Sequence, residues 1–251
     1  MADFDALIAE ADAAPIDGWD FSWLKGRATE ERPTWGYSRL VAARAASASA
    51  MLDVQSGGGE LLAGLPAWPP LLVATEGYAP NVAKAAQRLR SRGGFVVQAD
   101  DDRAALPFPD ATFDLVTSRH PITAWWSELA RVLAPGGTYL SQEVGPDSAR
   151  ELSERIMGPW PPGSARDPEQ ARAAAEAAGL DVVDLRSERL RMTFGDVGAV
   201  VYFLRLVVWI VPGFTVERFG PQLLDLHREI EGNGPFVAHA SRFLIEAVKP
   251  S

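Results

Sequence analysis

Apolar residues along this chain fall into two kinds of stretch. Short continuous runs occur at MLDVQ (51–55), LLVATE (71–76), FVVQAD (95–100), FDLVTS (113–118) and TYLSQEV (138–144). Between them lie segments in which apolar positions recur every three or four residues: ELLAGL (60–65), PNVAKAAQRLRSRG (80–93), TAWWSELARVLAPGG (123–137) and DPEQARAAAEAAGL (167–180). Runs of strand length separated by helical segments predict a parallel sheet covered by helices. DVVDLRSERLRMTF (181–194) alternates and reads as a further strand, and FVAHASRFLIEAVK (236–249) as the last. Residues 3–14 and 38–49 predict helices ahead of the first strand, with Pro15 closing the earlier one. The rhythm breaks over 195–235, where an apolar helix, the turn VPGF and the segment LLDLHREIEGNG follow one another. The pattern divides the chain into an N-terminal helical cap or lid (1–50), an α/β core (51–194), a helical insertion (195–235) and a final core strand (236–251).

Composition narrows the chemistry. With 251 residues, 47% hydrophobic and 23% charged, the chain can bury a sizeable core. It has no cysteine, which excludes disulfides, thiolate metal sites and a cysteine nucleophile. Its three histidines, His120, His227 and His239, are far apart, and no ligand-spaced cluster points to a metal. A net charge of −9 is the wrong long-range field for gripping a phosphate backbone, so nucleic acid is disfavoured as substrate. Arg88, Arg90 and Arg92 beside Lys84 read as the solvated side of a helix. The start, MADFDALIAEADAAPID, carries acids where a secretory signal needs basic residues. The apolar run 198–214 is short for a membrane span and holds Arg205, so it reads as a buried helix. The expectation is a soluble, cytoplasmic protein without membrane contact.

In doubly wound sheets ligands bind at the carboxyl ends of the strands, near the switch in strand order. Four such ends carry chemistry here. The first runs Asp53-Val54-Gln55-Ser56-Gly57-Gly58-Gly59-Glu60, a glycine-rich turn that lets a backbone approach a ligand closely. The second ends in Glu76, whose carboxylate can accept hydrogen bonds from both hydroxyls of a ribose. The third is followed by Asp100, Asp101 and Asp102, acids able to take a hydrogen bond from an adenine amino group. The fourth runs into Ser118-Arg119-His120-Pro121.

These stretches together carry a resemblance. Over 51–145 the chain resembles class I S-adenosylmethionine-dependent methyltransferases, in particular the small-molecule, type 11-like branch. LDVQSGGGE looks like the glycine-rich first motif and VATEGYAPNVAKA the second. DDDRAALPFPDATFDLV is similar to the third and fourth, and ELARVLAPGGTYL to the helix and turn into the fifth strand. The resemblance implies a Rossmann-like, doubly wound, mostly parallel seven-stranded sheet with an antiparallel last strand. It implies S-adenosyl-L-methionine as cofactor, S-adenosyl-L-homocysteine as product, and methyl transfer to a small-molecule acceptor by direct displacement.

Carried over residue by residue, the resemblance sets Gly57 and Gly59 against the methionine part of the cofactor. Gln55 departs from the glycine of the pattern, so its side chain points away from the ligand or bonds to it. Asp53 orders the loop or meets the cofactor's amine. Glu76 clasps the ribose, Gly77 and Tyr78 lie against the adenine edge, and Asp102 or Asp101 meets the adenine amino group. Arg119 lies near the methionine end. In ATEERPTWGYSR, Arg32 or Tyr37 reaches the methionine carboxylate, with Trp35 closing over the cofactor.

His120, next to Arg119 in the catalytic stretch, is either a general base for the acceptor's proton or a residue that shapes the pocket. Gln142 and Glu143 face the acceptor pocket, and one of Trp125 and Trp126 lines it while the other packs under the sheet. His239 is a second candidate for the pocket, and His227 reads as solvated. Aromatic density over 19–37 and 202–219 suggests an apolar or aromatic acceptor, although such residues are core material first. The apolar insertion helix could equally serve a homodimer. Two other classes stay open: a non-catalytic S-adenosylmethionine-binding or partner protein, and an RNA methyltransferase. A nicotinamide dehydrogenase fits less well, because the acidic run would sit badly with a pyrophosphate.

Overall fold

Local rules set the elements of the computed structural model, which describes residues 3–16, 19–100, 103–159, 161 and 166–251. Helix α1 (Phe4–Ala13) starts at Asp3, whose carboxylate accepts the amide of Asp5. A short strand β1 (Ala28–Glu30) and helix α2 (Tyr37–Ala45) precede β2 (Ala50–Val54). Then come α3 (Glu60–Ala63), β3 (Leu71–Glu76), α4 (Ala79–Leu89), β4 (Phe95–Gln98) and β5 (Phe113–Arg119). Next are α5 (Trp126–Val132), β6 (Leu133–Val144), α6 (Arg150–Met157) and α7 (Pro168–Ala177). The chain ends with β7 (Asp181–Phe194), α8 (Val197–Leu206), α9 (Val216–Asn233) and β8 (Phe236–Val248).

Among the described residues eight strands form one sheet, in the order β1-β7-β8-β6-β5-β2-β3-β4. β2 pairs in parallel with β3 and β5, β3 with β4, and β5 with β6. β8 runs antiparallel to β6, and β1 antiparallel to β7. The doubly wound α/β sheet with an antiparallel last strand is therefore as expected. The strand count is eight rather than seven, because three residues ahead of the core, Ala28–Glu30, pair with the end of β7. Strand order reverses between β2 and β5, the switch point at which ligands bind in such sheets.

The segment 123–137 is helical for less of its length than its periodicity predicts. The helix stops at Val132, and Leu133 already pairs with Phe113. The Pro135-Gly136-Gly137 turn then shifts the register, so that Thr138 meets Leu115. Side-chain caps fix where the central strand begins. The Asp114 carboxylate accepts the amides of Ser49 and Ala50 at 2.8 and 3.0 Å. Arg44 of α2 makes a two-pronged pair with the buried Glu246 of β8, at 2.9 and 3.1 Å.

The chain divides into two compact units. The first comprises residues 1–32, 146–165 and 189–241, and the second 33–145, 166–188 and 242–251. Two of the boundaries fall inside β7 and β8. The first unit has its own apolar core, in which α8 is buried over nearly its whole length. Arg205 on that helix is held by the carbonyls of Ala11 and Ala14. His227, expected to be solvated, is buried and packs on Phe4 at 5.6 Å between ring centres. It shares a helical stripe with Leu223, Leu226 and Ile230, which outweighs its charged neighbours. No helix among the described residues is long and apolar enough to cross a membrane. The second unit packs apolar residues on both faces of its strands, with α5 and α7 contributing to one core and α2 and α3 to the other.

Candidate active site

β2 delivers Asp53 to the switch point, buried at 2% exposure. One carboxylate oxygen accepts the Thr117 hydroxyl at 2.5 Å, and the other accepts the Ser56 hydroxyl at 2.6 Å. Burial pushes the Asp53 carboxyl up to about 6, against the pull of those two hydroxyls and of Arg119. Each oxygen keeps capacity for another donor.

The turn after β2 answers the question of its missing glycine. Gln55 has φ 58°, in the left-handed region where glycine is at ease. Its side-chain amide reaches across to the loop after β5. Nε2 donates to the Thr123 carbonyl at 2.9 Å, and Oε1 accepts the Ile122 amide at 2.6 Å. Gln55 thus clamps the loop that follows His120. Gly57, at φ 60°, has nothing within 4 Å of the place a Cβ would take. Its N–H donates at 2.7 Å to one oxygen of the buried Glu76 carboxylate, and the Tyr78 N–H donates at 3.0 Å to the other. Arg88 also bonds to the Gly58 carbonyl and pairs with Glu60 at 2.7 Å, so it braces the turn rather than lying free in solvent.

Around the ends of β5 and β6 a chain of hydrogen bonds fixes one imidazole. The Trp35 indole N–H donates to Gln142 Oε1 at 2.9 Å. An indole can only donate, so the amide's NH₂ faces the other way, toward His120 Nε2 at 3.0 Å. His120 Nε2 is therefore the acceptor, and the ring's proton sits on Nδ1. Burial, with Arg242, Arg119 and Arg166 adding to it, holds the His120 pKa down to about 3. The ring is neutral across the physiological range, and its Nε2 lone pair is in use. His120 also has φ 58°, and its amide bonds to the Gln142 carbonyl at 2.7 Å. Arg119, beside it, is exposed. The Tyr37 hydroxyl is buried against the carbonyls of Ser118 (2.7 Å) and Leu140 (3.1 Å), which commits its proton to backbone.

The other face of β6 carries Tyr139, Ser141 and Glu143 at alternate positions, opposite Ala247, Ile245 and Phe243 of β8. Burial raises the Glu143 carboxyl to about 7, opposed by the Ser141 hydroxyl and Arg166. A cavity of about 10 Å³ beside this face is lined by Val54, Ser118, Pro121, Trp125, Leu129 and Tyr139, among others. Trp125 lines that cavity, while Trp126 packs edge-on against Tyr139 at 5.3 Å.

The structure brings Asp53, Gln55, Gly57, Gly59, Glu76, Gly77, Tyr78, Arg119, His120, Trp35, Tyr37, Trp125 and Glu143 into the second unit. Asp101 and Asp102 lie outside the described residues. Arg32, exposed, and His239 belong to the first unit. There, His239 Nδ1 and N–H both bond to Glu151, at 2.8 and 3.1 Å. Sequence reasoning passed over Thr117 and Ser56, which hold Asp53, and the polar row of Tyr139 and Ser141. The row has a signal: polar groups at period two inside a strand whose other residues are apolar.

Residues 52–141 match a family model described as a methyltransferase domain. No curated protein sequence matches the chain. Among solved structures it is similar to a provisionally assigned methyltransferase from Bacillus halodurans C-125, with 20% identity and a TM-score of 0.60. That match covers 85% of this chain and 99% of the other. The YcgJ protein from Bacillus subtilis follows at 17% identity and a TM-score of 0.57, covering 86% and 98%. A phosphoethanolamine N-methyltransferase from Haemonchus contortus, solved with phosphomonomethylethanolamine and S-adenosylhomocysteine, gives 16% and 0.52, covering 86% and 53%. At these identities the structural likeness is one of fold, and the domain match supports S-adenosylmethionine-dependent methyl transfer.

Proposed function

Taking residues 52–141 as a methyltransferase domain of the class I, type 11-like kind, we propose that the chain is an S-adenosylmethionine-dependent enzyme. It methylates a small-molecule acceptor by direct displacement. The observation that carries the reading is the set of groups at the switch point. Two buried carboxylates, Asp53 and Glu76, end adjacent parallel strands, and the Gly57 turn between them leaves open the space a side chain would fill. That pair of acceptors fits a cationic amine on one side and a vicinal diol on the other.

In this reading Asp53 holds the cofactor's amine and Glu76 its ribose hydroxyls. Gly57 leaves room for the methionine part, Gly59 instead lets the turn pack close on Ala85 and Leu89 of α4, and Gly77 and Tyr78 lie along the adenine. Bound S-adenosylmethionine supplies an electrophilic methyl on a sulfonium. The protein's share is positioning, which can supply much of the acceleration of a displacement. His120, neutral and pinned by Gln142, shapes the pocket and can donate from Nδ1; at a pKa of about 3 it is a weak proton acceptor. The acceptor brings a protic nucleophile, whose lone pair takes the methyl. The net charge of −9 favours such a molecule over RNA.

Thermal denaturation with S-adenosylhomocysteine, NAD or neither tests this. Ligand at 100 times its Kd adds ~2.7 kcal/mol, or roughly 5–10 °C for a chain of this length. A shift of that size with S-adenosylhomocysteine and none with NAD is expected. No shift with S-adenosylhomocysteine would overturn the reading.

A further inference from the structure

Regular alternation along β5 would send the side chain of His120 to the opposite face from Arg119. His120 instead sits at φ 58°, and its ring meets the Gln142 side chain. Gln142 is the partner of Arg119 across β5 and β6, so imidazole and guanidinium share one face of the sheet. That face continues onto β8, where Arg242 lies opposite Val144, two residues beyond Gln142. Two arginines therefore flank the carboxyl end of β6, on strands roughly 10 Å apart, and the ring is pinned to the strand between them. Arg119 is exposed and His120 and Arg242 are half-buried, so solvent reaches this place. The local charge is of one sign. Arg242, Arg119 and Arg166 all oppose a positive charge on the ring, while the acid further along this face of β8, Glu246, is taken by Arg44. With Gln142 donating to Nε2, the ring offers its Nδ1–H, and among the described residues no acceptor takes that proton.

We propose that this end of β6 binds an anionic oxygen group, a carboxylate or a phosphate, carried by the methyl acceptor. The proposal rests on the methyltransferase reading above. The anion accepts the His120 Nδ1–H and is held by the guanidiniums of Arg119 and Arg242, whose forked donors match paired oxygens. Anchored there, the acceptor presents its protic nucleophile to the methyl in a fixed orientation. His120 serves as a neutral donor, and Gln142 sets the tautomer that makes it one. The cofactor's own carboxylate is a poorer occupant. It shares a carbon with the amine that Asp53 holds, whereas Arg242 stands three strands from Asp53, roughly 14 Å across the sheet.

The test needs no known acceptor. Benzoate, phenyl phosphate and neutral benzamide are titrated into protein saturated with S-adenosylhomocysteine and followed by NMR. The carboxylate of the bound product is then already in place, so a further anion must find its own site. At least one of the two anions is expected to bind about tenfold tighter than benzamide or better, and to move the His120 Nδ1–H signal downfield. The preference should shrink to within about threefold in Arg119→Gln and in Arg242→Gln. Arg119 is exposed, so its variant stays decisive even if the loss of Arg242 costs the fold. No anion preference in the wild type, or a preference untouched by Arg119→Gln, overturns the proposal. So does a tenfold loss of S-adenosylhomocysteine affinity in Arg242→Gln while 5′-methylthioadenosine, which lacks the amino-acid part, binds as before, for the arginine would then serve the cofactor. Absence of S-adenosylhomocysteine binding to the wild type overturns the underlying reading instead.

Discussion

Gln55 stands where glycine would be conformationally easier, and the structure gives a reason that can be measured. At φ 58° a residue with a Cβ is disfavoured by about 1–2 kcal/mol. Against this, the side chain makes hydrogen bonds of 2.6 and 2.9 Å to the loop after His120. Each such bond is worth about 0.5–1.5 kcal/mol net, and these half-exposed ones fall at the low end. Gln55→Ala keeps the backbone strain and removes both bonds, so it should lose about 1–2 kcal/mol. For a chain of this size that is roughly 2–8 °C of midpoint. Gln55→Gly also removes both bonds but releases the strain, recovering about 1 kcal/mol relative to alanine after the freer unfolded chain is counted.

The expected order of midpoints is therefore wild type, then Gln55→Gly, then Gln55→Ala, read by calorimetry at pH 7. Hydrogen exchange adds a local readout. The Ile122 amide donates to Gln55 Oε1, so its exchange should quicken by about tenfold in both variants. S-adenosylhomocysteine affinity should change little, because the Gly57–Glu76 contact is untouched. A Gln55→Gly protein more stable than the wild type, with unchanged exchange at Ile122, would refute the clamp.

Two further predictions concern the titrating groups. In the wild type, ¹⁵N shifts should report His120 as a single neutral tautomer protonated at Nδ1; Trp35→Phe, which frees the Gln142 amide to turn over, should yield a mixture, and an Nε2–H form in the wild type would sink the relay. Asp53 should make S-adenosylhomocysteine affinity fall by up to about tenfold per pH unit below about 6, while the free protein gains stability as pH drops from about 6 toward 3.8, since its folded pKa is the raised one. Affinity that stays flat between pH 5 and 7 would remove Asp53 from the amine.

Much of the fold was legible because its signals are local. Continuous apolar runs at 71–76 and 113–118 became β3 and β5, and glycine or proline marked most of the helix ends. The edge strand Ala28–Glu30 was not legible, for three polar or small residues carry no strand signal, and pairing with β7 alone creates the element. His227 was misread for a similar reason: its charged neighbours Arg228 and Glu229 are one and two positions away, but burial follows the residues three and four apart. The cofactor side of the site was legible as a motif, since Asp53, Gly57 and Glu76 sit at strand ends. The Trp35–Gln142–His120 chain was not. Its members are distant in sequence, and only the pairing of Arg119 with Gln142 brings the loops together.

That chain also separates the two faces of β6 by role. On one face lie Gln142 and, through the β5 and β2 neighbours, Thr117 and Asp53, and here the polar groups are satisfied from within the protein. On the other lie Tyr139, Ser141 and Glu143, where the Ser141 hydroxyl is the polar neighbour of both others. Groups already paired are held in one geometry, and that is what positioning requires. The bond from Gln142 fixes which imidazole nitrogen carries the proton, while burial is what keeps His120 neutral. A group that must change its protonation during a reaction cannot be so thoroughly committed. The environment pushes the two candidates apart, His120 to about 3 and Glu143 to about 7. Such a separation is the mark by which acid–base roles are assigned among neighbouring titratable groups. A period of two along one strand thus sets Gln142, which pins the imidazole, beside the Glu143 carboxyl without letting the two share a face.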